Sequence, residues 1–288
     1  MRLLTHAALT GSALLLLAGC SDDAPPSRTE DPGAPAMEDP GLEHVHGLGI
    51  DPADDQLYAA SHFGVFRISD DGSFTRVADR WQDTMAFTVA GPHRFLASGH
   101  PDLREQDLPP HLGLIESTDG AETWTSVSLS GDADFHALDV SGSRLYGYDS
   151  VGQRLLASSD RRTWDLVSQG PLLDIAADPS DADRVLAITG AGDLVAHQVA
   201  GGESVVAGAP ALVMIDWPEP DLLVGVTGSG AVYRSRDAGR SWEQTTAPPG
   251  RPQAHDVTSG RWYVATDGGI FVSRDDGETW DLVVRTAG

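Results

Sequence analysis

The residues best equipped for chemistry in this chain are histidines, and their spacing suggests that they meet. His46, Met85, His136 and His255 fall at matching positions of short apolar runs, with Leu173 and Leu212 in the same column of two further runs. His44 lies two residues before His46, so strand alternation would aim both the same way. His62 and His100 follow two other apolar runs, at what should be the same end. Six of the ten histidines would then share one half of one face. Imidazole with a thioether suits copper. Imidazole with a carboxylate from Asp102, Asp134, Asp149 or Asp256 suits zinc or another divalent ion. On this reading His44, His46, His62, His136 and His255 are the metal ligands. A competing reading makes the same histidines partners for backbone groups around a wet channel.

Other residues near that opening suggest different chemistry. Arg80, Arg104 and Arg251 could form a clamp for a carboxylate, with Met85 and His100 beside it. Tyr148 next to Asp149 is a polar pair. Asp102, Asp134 and Asp149 are the carboxylates from which a glycosidase pair could be drawn. A long segment, residues 100–111, interrupts an otherwise short connection, and such an insertion on a regular scaffold commonly carries ligand contacts.

A repeat must position these side chains. Residues 273–280 read S-x-D-x-G-x-T-W, with Ser273, Asp275, Gly277 and Trp280 at the fixed places. Ser235, Asp237, Gly239 and Trp242 match, with Ser241 in the Thr position. Ser117, Asp119 and Trp124 match with Ala121 for Gly, and Asp160 and Trp164 belong to a copy one residue shorter. Residues 69–74 are a worn copy ending in Phe74. The aromatic anchors fall 50, 40, 78 and 38 residues apart, so the widest gap leaves room for a sixth unit near residues 201–204. Six units of this size, each with four short strand signals, predict an all-β, six-bladed β-propeller. In each motif Ser, Asp and Gly make a turn, and Trp begins a strand while burying its ring between blades.

These motifs resemble the Asp-box (BNR) repeat family, over roughly residues 43–284. That family includes sialidases, sortilin-like receptors and photosystem II assembly propellers. The resemblance implies that the boxes sit on the face away from the binding site. The H-x-H-G-x-G start at His44 and the G-H-P-D stretch at His100 are similar to bacterial lipoproteins grouped as glycosyl hydrolases of exo-α-sialidase type. The Arg-Ile-Pro motif of sialidases is absent, and His44-Val45-His46-Gly47 stands in that region.

The first 20 residues read as a lipoprotein signal peptide. A short basic start and an apolar run precede Leu17-Ala18-Gly19-Cys20, in which Cys20, the chain's one cysteine, is the lipid attachment point. Residues 21–41 are rich in Pro and acid and read as a flexible tether to a propeller spanning 42–288. The protein would hang from the outside of the bacterial cell membrane. With 43 acidic residues against 19 basic ones, all Arg, the net charge is −24, which argues against nucleic acid as a partner. Three functions follow as expectations: a binding module whose mouth takes a ligand through a divalent or copper ion, a sialidase-like glycoside hydrolase acting on a glycan, and a scaffold for another protein.

Overall fold

The computed structural model describes residues 39–286. The signal segment, Cys20 and the tether up to residue 38 lie outside the described residues. Six four-stranded antiparallel sheets follow one another along the chain. The chain is an all-β, six-bladed β-propeller. Each inner strand adjoins the inner strand of the next blade, and the sixth adjoins the first.

The inner strands are β1 (Val45–Ile50), β5 (Asp83–Gly91), β9 (Phe135–Ser141), β13 (Leu172–Ala177), β17 (Leu212–Glu219) and β21 (Pro252–Thr258). The second strands are buried on both faces and so read as continuous apolar runs; Leu57–Ser61 and Arg261–Thr266 are examples. The outermost strands are short and largely exposed, as in Glu243–Gln244.

Six apolar clusters hold the ring, one at each seam between blades. Tyr58, Tyr146 and Tyr263 occupy one register and lie in three of these seams. The motif tryptophans Trp124, Trp164, Trp242 and Trp280 pack against four of them. Burying one such aromatic contributes roughly 2–3 kcal/mol. The ring closes without exchanging a strand. Blade 1 comes wholly from the first strands and blade 6 wholly from the last. The closing seam uses packing of Leu42, Val45 and Leu48 on Tyr263 and Ala265, and a hydrogen bond from Val45 N to Gln253 Oε1 at 3.1 Å.

The Asp boxes are built alike. In residues 273–280, Ser273 Oγ donates to Asp275 Oδ1 at 2.8 Å and accepts from Gly277 N at 2.8 Å, while Thr279 N and Oγ1 donate to the carboxylate at 2.9 and 2.6 Å. The same bonds recur around Asp119 and Asp237, and nearly so around Asp160. In the worn copy Asp71 keeps only its bonds from Ser73. Gly120 N donates to His93 O, which puts a box on the same face as the turn between strands one and two of its blade. The opposite face therefore carries the starts of the inner strands and the turns between strands two and three.

All six inner strands contain a bulge at one equivalent place, where two residues oppose one on the neighbouring strand. The bulged positions are His46, Met85, His136, Leu173, Val213 and Gln253. This corrects the sequence-based column in two blades. Val213 replaces Leu212. Gln253 replaces His255, which lies two residues deeper, level with Leu48, Phe87, Leu138, Ile175 and Ile215.

Candidate functional site

A channel of about 630 Å³ runs between the inner strands. One mouth holds His46, Met85 and His136 on bulged positions of three adjacent strands. The two other histidines of a first group come from outside β1. His44 precedes the strand and has φ 43°, so the alternation argument does not apply to it. Its ring nevertheless reaches the group by stacking on His62 at 5.1 Å. His62 sits in the tight turn between Leu57–Ser61 and Gly64–Ile68. Ligand atoms of His44, His46 and His62 all lie within 4.8 Å of one another.

Within this group His46 Nε2 is 3.1 Å from His62 Nδ1, and His62 Nδ1 is 2.9 Å from Asp83 Oδ1. A single proton on His62 Nδ1, shared between Asp83 Oδ1 and the lone pair of His46 Nε2, accounts for both contacts. The His46 side chain is only 11% exposed. Burial, then the neighbouring His62, His44, His136 and His100, push its pKa down to about 3. Burial and His62 also lower His44. His46 is thus a neutral imidazole at neutral pH, the form that ligates metals.

A second group surrounds Asp134, just before β9. His136 Nε2 is 3.0 Å from Asp134 Oδ2, His111 Nδ1 3.7 Å and His100 Nε2 3.9 Å. His111 ends the long segment after Arg94–His100, which folds back on the mouth. Asp102 anchors that segment by accepting from Trp81 N at 2.9 Å and Arg104 Nε at 2.9 Å. Gly99 has φ 143°, and a Cβ there would stand 2.0 Å from Asp83 O. The two groups therefore share a crowded backbone crossing.

The other predicted residues go elsewhere. Asp102 is held far below the usual carboxylate range by its Arg104 bond. Asp149 is fully buried, paired with Arg154 at 2.7 Å, and accepts from Asp134 N. Tyr148 lies in the apolar seam between blades 3 and 4. Arg80 pairs with Glu105 at 2.7 Å, Arg104 with Asp102, and Arg251 with Asp267 at 3.0 Å on the surface. No clamp of three free guanidiniums is assembled among these residues. His255 is buried in the channel, its side chain 9% exposed, with Nε2 3.5 Å from Asp216 Oδ2. Asp83 and His111 also stand in these two groups, and no local sequence pattern marks either.

Below the mouth lie Asp139, Asp174, Asp216 and Asp256. The first three accept backbone N–H bonds from the next blade, from Ala177 at 2.7 Å, Ile215 at 2.8 Å and Val257 at 2.8 Å. They staple neighbouring inner strands together. Burial raises Asp139 and Asp174 to about 6 and Asp216 and Asp256 further above the ordinary value. On the opposite face Asp51 accepts from His93 Nδ1 at 2.7 Å, His93 N and Ala53 N, and is similarly a staple.

No family model matches the chain. A xyloglucanase of Hypocrea jecorina (strain QM6a) is 29% identical over 203 residues, covering 65% of this chain and 23% of that protein. The chain thus spans less than a quarter of the length of that curated relative. Among solved structures, the GH74 xyloglucanase of Xanthomonas campestris superposes with a TM-score of 0.59 at 18% identity, covering 85% of this chain and 55% of that one. A virginiamycin B lyase of Staphylococcus aureus, solved with quinupristin, gives 0.56 at 11% identity, covering 83% of each chain. YCF48 bound to D1 peptide gives 0.51 at 15% identity, covering 83% and 82%. Two enzymes and a peptide complex on one architecture carry the fold and leave the activity open. What stands is a six-bladed β-propeller with distant similarity to xyloglucanase and a His-rich cluster at one mouth of its channel.

Proposed function

We propose that this protein is an extracytoplasmic, lipid-anchored binding module that holds a transition-metal ion at the His-rich mouth and takes its ligand there. One observation carries the reading. His44, His46 and His62 offer nitrogens within coordination reach of one another, and burial keeps His46 neutral. Asp83 Oδ1 meets the same His62 nitrogen, so metal binding there would release the Nδ1 proton and leave the carboxylate beside the ion. A tetrahedral zinc with bonds near 2.0–2.1 Å separates its ligand atoms by about 3.3 Å, close to the 3.1 Å between His46 and His62. Met85, next in the bulge column, adds a soft ligand that favours copper(I).

The test is metal analysis of protein purified without chelators, followed by zinc and copper titration. The reading expects uptake that falls sharply in a His44→Ala, His46→Ala double variant. Equal uptake by that variant and the parent would refute it. Anchoring rests on Cys20. Labelling cells with a fatty-acid probe should mark the parent and not Cys20→Ser, and label on both would remove the anchor from the account.

A second reading, glycoside hydrolysis, is favoured by the xyloglucanase likeness. The channel carboxyls with raised pKa would supply an acid, and Asp134 an ionised partner. Burial works against that ionisation, yet the His136 hydrogen bond and the nearby His136, His100 and His111 leave Asp134 lowered. Release of reducing ends from xyloglucan or of sugar from sialosides, abolished in Asp134→Asn, would favour this reading. Inactivity on both would remove it.

A further inference from the structure

We infer that a second divalent-cation site stands beside the first, formed by His100, His111 and Asp134, with His136 hydrogen-bonded to the same carboxylate. It deepens the metal reading of the mouth but shares no ligand with the first group. The group is short of protons. Three ring nitrogens face one oxygen, Asp134 Oδ2. His136 Nε2 can donate to it at 3.0 Å. His100 cannot do so as a neutral ring, because its proton is on Nδ1 and is donated to Pro110 O at 2.7 Å. That bond fixes the tautomer and turns a lone pair on Nε2 toward the carboxylate.

Two further atoms point the same way. His111 Nδ1 and Asp134 Oδ1 are buried with no hydrogen-bond partner. The Asp134 side chain is only 6% exposed. A buried polar atom without a partner is costly, and a native fold seldom keeps two in one cluster without a use. A cation resolves the whole set at once. It accepts the lone pairs of His100 and His111 and neutralises Asp134, while His136 keeps its hydrogen bond to Oδ2. The spacings of 3.7 and 3.9 Å from Asp134 Oδ2 stand a little beyond the edge of about 3.3 Å expected around a tetrahedral zinc, so the rings need only a small shift. Mixed imidazole and carboxylate ligation suits zinc, cobalt(II) or nickel(II), whereas the first group is three imidazoles with the Asp83 carboxylate at its edge.

The site also has a built frame. Leu112 N donates to Gly99 O at 2.9 Å, and Gly131 N donates to His111 O at 2.8 Å. These bonds tie both ends of the long segment to the sheet and to the connection ahead of β9. Ser150 Oγ donates to Asp134 Oδ2 at 3.3 Å, and Asp149 Oδ1 takes the Asp134 N–H at 3.1 Å, so the carboxylate is aimed and not free to turn away.

The experiment is a cobalt(II) titration of the mature protein, followed by visible absorption and by stoichiometry, repeated with zinc. The parent should bind two ions per chain. His111→Ala with His136→Ala should bind one, and His44→Ala with His46→Ala should bind one with a different absorption band. Because Asp134→Ala risks the fold, Asp134→Asn serves as the conservative variant, with circular dichroism confirming structure; it should lose the same ion as the His111 and His136 pair. Two ions retained in that pair, or a parent that binds a single ion lost only with His44 and His46, would overturn the second site while leaving the first. One ion lost with His111 and His136 and none with His44 and His46 would overturn the first and leave the second. A parent that binds no ion overturns both.

Discussion

The two histidine groups differ in what holds them. The first is built on strands and a tight turn, with His46 on a bulge of β1 and His62 between two buried strands. The second depends on a long segment that must fold back to deliver His111. The first keeps its key imidazole neutral by burial; the second gathers three imidazoles around a carboxylate. One propeller mouth thus presents an imidazole-rich group carried by strands and a carboxylate-centred one that depends on an inserted segment. The third of the mouth in blades 4 and 5 has Leu173 and Val213 at the equivalent positions, two side chains without a ligand atom.

The strongest way to break this contrast is to disturb the backbone that both groups share. Gly99→Ala would drive a methyl toward Asp83 O and should cost about 3 kcal/mol while abolishing both metal sites, as read by thermal unfolding and zinc titration. A normally stable variant with both sites intact would show that the groups are not mechanically joined. Single-ligand changes come next. His46→Ala should weaken the first site by roughly 100-fold and spare the second, with His111→Ala doing the reverse. Calorimetric titration would separate them, and equal losses at both sites would merge the groups into one.

Acid sharpens the contrast through His46. With a folded pKa near 3 against an unfolded value near 6.5, lowering the pH from 7 to 5 protonates His46 only in the unfolded chain, which favours unfolding by about 2 kcal/mol. Asp139 and Asp174, raised to about 6, oppose this. They take up protons in the folded state over that interval, before the unfolded chain does, and stabilise it. The difference between parent and variant removes their contribution. Metal-free His46→Gln should therefore gain about 2 kcal/mol on the parent between pH 7 and pH 5 in denaturant titrations. A constant difference across that interval would mean that His46 is not held neutral. The smallest effect concerns Met85. Met85→Leu should weaken copper(I) binding by about 10-fold, or about 1.4 kcal/mol, and leave zinc unchanged. Unchanged copper(I) binding would take the thioether out of the first group.

The fold was legible almost throughout, because the Asp boxes, even in shortened or worn copies, announce a turn and an aromatic anchor at blade spacing. The six inner strands are where alternation and the motifs imply. The site was legible only in part. His46, Met85 and His136 line up because their strands begin with recognisable apolar runs. Blade 6 was misaligned because Pro252 reads as a strand breaker, yet begins β21. The bulge adds one residue that a period of two does not reveal, and this displaced Leu212 by one position. His44 joins through a ring stack and Asp83 through His62, both tertiary contacts. His111 required the fold of a 12-residue insertion between sheet strands, residues 100–111, which no local pattern encodes.

The most direct test is crystallographic. Crystals of the mature protein soaked in zinc should give an anomalous peak at the zinc edge between His46 Nε2 and the His62 ring, in contact with His44. Zinc density confined to surface carboxylates, with His46 and His62 still bonded to each other, would contradict the account.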